Sequence, residues 1–278
     1  MPDAGRPRLR IWGCRGSLPV GGPGTARHGG ATACVVVEEA GRRLVLDAGS
    51  GIRWHGRSLT EAERGGSHTV LLSHTHWDHV CGLPFFAPLY DAAATVTILG
   101  PHQPSAALPE IIERLFAPAV WPLPPRARME VQGVAPGQFR AGGFQVSAIQ
   151  VAHAGTTLGY RINTESGRSV SYVTDNELAG MHPSVRAELV QMLAGSDVLL
   201  HDATWADAIL DERAGWGHSS VGETIALGME AGCRLVVLFH HDPDADDEGL
   251  ERNLATALHG STGTPEVILA RDGMTLEL

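Results

Sequence analysis

The stretch VLLSHTHWDHVCGLP, from Val70 to Pro84, constrains this chain more than any other. Between His74 and His79 it sets three histidines and an aspartate directly after a run that reads as a buried strand. In extended backbone a spacing of two puts the imidazoles of His74 and His76 on the same side, a geometry that suits one metal ion. Asp78 and His79 come after a turn and are placed to enter the same cavity from its opposite wall, offering two ligands to a second ion. A lone histidine is more often structural, but four ligand-type residues at H-x-H-x-D-H spacing point to a metal site.

The remaining composition bounds the partners. The chain has 278 residues, 43% hydrophobic and 19% charged, enough to bury a large core. Its formal net charge is −10 and it has no Lys/Arg cluster of the kind that holds a nucleic-acid backbone, so small substrates are expected rather than long nucleic acid. Neither a signal peptide nor a membrane span is expected, which gives a cytoplasmic reading with no membrane partner. Cys14, Cys34, Cys81 and Cys233 lie far apart and form no CxxC pair, so they read as reduced thiols.

RLRIWG, TACVVVEE, RRLVLDAG, HTVLLSH and TVTILG read as strands, and helices are scarce before Ser105. SAALPEIIERLFAPAV reads as a helix, and WPLPPRAR as a long internal loop. Strands return at FQVSAIQVAH, TLGYRIN and SVSYVTDNE. A helix over about 183–194, the strand DVLLHDAT, a helix over about 219–231, the strand RLVVLFHH and a helix over about 246–259 follow. EVILARDGMTLEL closes the chain as a final strand. Strand runs followed by helices, once in each half, predict two sheets packed face to face with helices outside, in one domain over residues 1–278.

HTHWDH resembles the signature of the metallo-β-lactamase fold superfamily, and other motifs similar to that family's follow in order. The resemblance implies an αββα sandwich of two mixed sheets. It gives His153 of VAHAG the place of the third histidine on the first metal, and Asp175 of VTDNE that of the carboxylate bridging both metals. LFHHDP supplies His240 or His241 for the second metal; His240, directly after the apolar strand, is the favoured ligand. Asp47 of LVLDAGSG resembles the aspartate that orders the metal-site loops. The implied cofactor is a pair of divalent ions, roughly 3.5–4 Å apart, between which a bridging water ionises near neutral pH. Zinc suits this mixed N/O set best, while Mn²⁺ and Fe²⁺ are also accommodated.

LLHDATW, with His201 and Asp202, and GWGHSS, with His218, resemble the HEAT and HST motifs of the ribonuclease Z branch of that superfamily. There an acidic residue orients a histidine that stabilises the phosphoryl transition state or protonates the leaving alkoxide. The resemblance therefore makes Asp78, Asp202 and His218 the catalytic set, with aspartate standing where the family has glutamate. The alternative is that His218 caps the helix beginning near Ser219 while Asp202 merely ends a strand.

The glycine-rich GCRGSLPVGGPGTARHGGATAC resembles the opening loop of ribonuclease Z-like and phosphodiesterase-like bacterial proteins, with Ala31 where those have asparagine. Arg15, Ser17 and Arg27 in this loop, together with Trp77 and His241, are the expected substrate-binding residues. A solvated hairpin connection is the competing reading of the loop. No long Gly/Pro-rich insertion resembles the tRNA-clamping arm of true ribonuclease Z, so the expected substrate is a small cyclic or linear phosphodiester. Lactone, thioester or other acyl hydrolysis, tRNA 3′-end cleavage and a non-catalytic scaffold are the alternatives. Related phosphodiesterases are commonly dimers, which keeps a homodimer open. Cys81 lies near the motif, DPDADDEGLE reads as an acidic helix start, and His28, His55, His68, His102, His182 and His259 read as ordinary surface or loop residues.

Overall fold

In a computed structural model, which describes residues 5–259, 263 and 265–278, the strands assemble into two seven-stranded sheets. The first is built from β1 (Arg8–Gly13), β2 (Cys34–Glu39), β3 (Arg42–Leu46), β4 (Ser67–Leu71), β5 (Thr95–Gly100) and β6 (Arg128–Gly133) in chain order. The second runs likewise through β7 (Gly137–Ala141), β8 (Phe144–Gln150), β9 (Leu158–Asn163), β10 (Ser169–Val173), β11 (Val198–Asp202), β12 (Leu235–Phe239) and β13 (Glu266–Leu269). The closing segment is not one strand, because a turn after Ala270 sends β14 (Thr275–Glu277) back to the first sheet, antiparallel to β1. Both sheets are mixed: β3 to β6 run parallel beside an antiparallel β1–β2–β3 ribbon, and β10 to β13 run parallel beside antiparallel β7 to β10.

The sandwich follows from period-two burial on strands covered on both faces. In β2, Val35 and Val37 enter the core between the sheets, whereas Cys34 and Val36 face a second apolar layer outside. Across the inner core, Leu9, Leu44 and Leu71 of the first sheet share a cluster with Val146, Tyr160 and Phe239 of the second. The outer layer of the first sheet is closed by α1 (Ile52–Ser58) and, further along, α4 (Leu108–Leu115), through Ile52, Leu108 and Ile112. The second sheet is closed by α5 (Pro183–Leu193), α6 (Val221–Glu230) and α7 (Asp247–Leu258), through Leu189, Ile225 and Leu250.

Three short helices precede Ser105 where few were expected: α1, α2 (Glu61–Arg64) and α3 (Trp77–Val80). WPLPPRAR does lead out as a loop, but β6 begins at its end and β7 follows soon after. Both are edge strands, and their exposed alternate positions carry residues such as Arg128, Glu130 and Gln138, so their apolar signal is weak. The acidic run starts α7 as expected, with Asp246 accepting from the Gly249 amide. Among the described residues, no helix is long and apolar enough to cross a membrane.

Strand direction places the functional site. β3, β4, β8, β10, β11 and β12 end at one edge of the sandwich, and Asp47, His74, His153, Asp175, Asp202 and His240 stand at or just beyond those ends. Side chains gathered there come from many strands, as ligand sites at the carboxyl ends of parallel strands generally do.

Candidate metal centre

Three overlapping groups of ligand-type atoms converge at this edge among the described residues: two share Asp175, and the third is Asp202, His218 and His240. In the first, His74 Nε2 and His153 Nε2 lie 3.7 and 3.6 Å from Asp175 Oδ1, and His153 Nε2 is 3.0 Å from His76 Nδ1. In the second, His79 Nε2 and His240 Nε2 lie 3.1 and 3.3 Å from Asp175 Oδ2 and 3.2 and 3.1 Å from Asp78 Oδ2. The second group is wholly buried, while the first opens to solvent at His76 and His153. All seven residues expected to hold the two ions are thus brought together.

The surrounding hydrogen bonds fix the ring tautomers. His79 Nδ1–H donates to Asp47 Oδ2 at 2.7 Å, and His153 Nδ1–H to the Gly217 carbonyl at 2.8 Å. Ser73 Oγ donates to Asp47 Oδ2 and so takes the Nδ1–H of His74 at 3.0 Å, while Thr204 Oγ1 takes that of His240 at 3.1 Å. Each of these four rings therefore turns its Nε2 toward the centre, which is how outer hydrogen bonds orient ligating histidines. The buried Nε2 of His74 has no hydrogen-bond partner among the described residues. An orphaned, buried lone pair is costly unless a cation receives it.

Electrostatics agree with this donor set. Burial pushes the imidazoles of His74, His76 and His153 below the usual histidine range, toward the neutral form a metal ion takes. Burial also disfavours charge on His79, but Asp78, Asp175 and Asp47 outweigh it and raise that imidazole, so an ion binding there displaces a proton. Burial disfavours charge on Asp78 and Asp175 as well, yet His79 and His240 hold both well below the usual carboxylate range. The residues present fit a pair of divalent ions.

Backbone strain supplies part of the aim. Asp47, Asp175 and His240 have φ of 58°, 49° and 58°, a left-handed conformation rare outside glycine and found at functional sites. At His240 it ends β12 and turns the ring inward. His241 then resumes an extended path bridging Arg15, and its Nε2–H donates to the Ala270 carbonyl, away from the centre. Of the two histidines in LFHHDP only His240 reaches the ligand set; the substrate role expected of His241 is not supported by its placement.

Gly16 lies against the His240 ring, and a Cβ built there would stand 2.3 Å from its Cε1. Because that ring is held by Thr204 and a strained backbone, Gly16→Ala is expected to weaken the second ion's binding by about 10- to 100-fold, as loss of a supporting contact does. Competition with a chromophoric zinc chelator measures this, and an unchanged affinity would show that the ring yields.

The remaining expected residues divide. His218 Nδ1–H donates to Asp202 Oδ2 at 2.7 Å, and the His218 ring stacks on His240 with centroids 4.9 Å apart. Burial opposes charge on His218, but Asp202 overcomes it and raises the imidazole to about 9. The cap of α6 is Ser220 in a capping box with Glu223, not His218. Ser17 reaches the centre through its backbone, donating N–H to Asp78 Oδ2 at 2.7 Å.

Arg15, by contrast, is fully buried, and its guanidinium donates to the carbonyls of Gly29, Asp242 and Ala245. It pins the loop and presents no charge to a substrate. Arg27 is exposed and pairs with Glu251 on α7. Trp77 is 56% exposed beside Asp78 and lines an open groove. Three histidines read as surface residues are buried: His28 and His68 are bonded to backbone carbonyls, and His55 stacks on Phe86.

Three supporting side chains escaped the sequence reading. Thr174 Oγ1 donates to Asp175 Oδ2 at 2.7 Å, Tyr172 OH donates to Asp47 Oδ2 at 2.8 Å, and Thr204 lies between Asp202 and His240. Thr174 and Thr204 each stand within two residues of a motif aspartate, at a strand end, which was a usable signal.

The fold has known counterparts. Residues 42–241 match the family model described as a beta-lactamase superfamily domain, and the chain belongs to that superfamily. It is 23% identical to the ribonuclease Z of Natronomonas pharaonis over 98% of this chain and 97% of that one. Among solved structures, a diphosphatase from the PhnP family superposes with a TM-score of 0.72 at 19% identity, covering 98% of both chains. The human short-form tRNase Z gives 0.70 at 19% identity, covering 97% of this chain and 98% of that one. The fold is the metallo-β-lactamase fold.

Proposed function

We propose that this protein, as one domain over residues 1–278, is a dinuclear metal-dependent phosphodiesterase acting on a small cyclic or linear, nucleotide-type phosphodiester. The observation that carries the reading is the 2.7 Å contact of His218 with Asp202, stacked against a histidine of the paired ligand set. His74, His76, His153 and Asp175 would hold one ion, and Asp78, His79, His240 and Asp175 the other. Two bound divalent ions, zinc being the best match to these donors, would activate water at neutral pH and neutralise charge on the phosphoryl oxygens. Asp202 acts as a positioning residue: it keeps His218 protonated and fixes its ring. His218 then gives its Nε2 proton to the departing alkoxide, an otherwise poor leaving group.

A leaving group that needs no proton separates this role from a structural one. His218→Ala is expected to lower kcat by about 10²–10⁴-fold on a cyclic nucleotide, and far less on bis-p-nitrophenyl phosphate, whose p-nitrophenolate departs unaided. Equal losses on both substrates, or none on the cyclic nucleotide, would remove proton donation from His218.

Similarity to proteins named ribonuclease Z over nearly the whole chain favours a second reading, cleavage at a tRNA 3′ end. Assaying precursor tRNA beside small diesters decides between them. The net charge of −10 supports the small substrate.

A further inference from the structure

Two cavities lie near the ligand cluster and share no lining residue; of the ligands, only His153 lines either of them. One, of about 500 Å³, includes His153, Trp216 and Gly217, and so adjoins His218. The other, of about 560 Å³, adjoins the opposite group: Trp77 in its wall immediately precedes Asp78 on α3, and Pro19 and Val20 follow closely on Ser17, whose amide holds Asp78. Its volume lies in the range of small-molecule sites.

The walls of this second cavity are aromatic and incompletely covered. Trp54, Trp77 and Phe85 are 49%, 56% and 50% exposed, although they belong to short, well-packed helical segments. Packing between sheets and helices does not call for three large half-bare rings on one groove. Phe85 is propped edge-on by Trp121, with ring centroids 4.8 Å apart, and the Arg53 and Arg57 guanidiniums stand over the Trp54 ring at 5.0 and 5.8 Å from its centroid. Arg53 makes no ion pair with a carboxylate among the described residues, so its charge at the rim rests on the Trp54 ring alone. Apolar rings beside a guanidinium that no carboxylate neutralises match a planar heteroaromatic ring joined to a phosphate.

We propose that, for linear diesters, this groove is the subsite for the base of a nucleoside carried on the phosphoryl group that the enzyme retains, while the leaving alcohol lies on the His218 side. This inference rests on the phosphodiesterase reading and names its substrate class. In the reaction, the oxygen of water forms a new bond to phosphorus, and the P–O bond to the leaving alcohol breaks with its electron pair. The nucleoside monophosphate keeps its own ester bond and its base in the groove. Stacking on these rings would lower KM for nucleoside esters without contributing to the chemistry itself.

Two p-nitrophenyl esters isolate the groove, because both release the same leaving group: thymidine 5′-(p-nitrophenyl phosphate) and methyl p-nitrophenyl phosphate. The zinc-loaded protein is expected to favour the thymidine ester in kcat/KM by about tenfold or more, the scale of base–aromatic stacking. Trp54→Ala and Trp77→Ala should each collapse that ratio toward one, chiefly through KM, and Trp54→Phe should retain most of it. Calorimetric titration with adenosine 5′-monophosphate supplies a reading independent of turnover, with Kd weakened about tenfold in the alanine variants. Cleavage of both esters without preference overturns the subsite and leaves the phosphodiesterase reading standing. If neither ester is cleaved, that reading falls and the titration decides the groove: equal binding by parent and variants overturns the subsite, a tenfold loss supports it. A dimer in sedimentation that Trp54→Ala dissociates would assign the groove to a second copy of the chain and overturn the proposal.

Discussion

Asp175→Ala is expected to bind no more than one of two divalent ions and to lose roughly 10³-fold or more in kcat/KM. Its two carboxylate oxygens face different ligand groups, Oδ1 toward His74 and His153, Oδ2 toward His79 and His240. Among the described residues, Asp175 is the one residue common to both groups. The charge balance points in the same direction. Asp78 and Asp175 are the two buried carboxylates among the candidate ligands, because Asp202 is already paired with His218. Removing one leaves positive charge uncompensated in a buried site, at a cost of several kcal/mol. Each 1.4 kcal/mol is a factor of ten, so about 4 kcal/mol gives the expected loss. Elemental analysis beside steady-state kinetics measures both quantities. Two ions retained, with kcat/KM within tenfold of the parent, would show that Asp175 does not join the two groups.

Asp47→Ala is expected to destabilise the fold by about 3–5 kcal/mol, the cost of removing one partner from a buried charged network. Asp47 holds no ion in this account, yet its carboxylate accepts four hydrogen bonds of 2.7–2.8 Å, from Ser73 N, Ser73 Oγ, His79 Nδ1 and Tyr172 OH. Those donors lie on the loop after β4, on α3 and on β10, so one side chain ties the ligand loops to both sheets. Alanine leaves all four donors buried and unpaired, while asparagine preserves one acceptor and should recover part of the loss. Urea denaturation of the two variants gives the comparison. A loss below about 1 kcal/mol for alanine would mean that the loops hold their geometry without this carboxylate.

Much of this centre is legible in the sequence because its ligands stand at the ends of apolar runs. The strand residues immediately before Asp47, His74, Asp175, Asp202 and His240 are buried on both faces, so the polar residue that ends each run is conspicuous. What burial does to a loop is not written locally. Arg15 in a glycine-rich loop reads as a presented cation, but its bonding partners Asp242 and Ala245 lie more than 200 residues away. The choice between His240 and His241 rests on a backbone twist at φ 58°, which neither residue type announces. β6 and β7 fall below notice because edge strands carry polar residues, and the closing segment reads as one strand because a turn inside it changes sheets. α2 was findable: Thr60 and Glu63 form a capping box whose T-x-x-E spacing is visible in the sequence.

The paired cationic centre is tested most directly by anomalous diffraction at the zinc edge from crystals of the zinc-loaded protein. Two peaks are expected roughly 3.5–4 Å apart, as in other two-metal sites, with Asp175 between them, His74, His76 and His153 around one, and Asp78, His79 and His240 around the other. A single peak, or two peaks that do not share Asp175, would contradict the account.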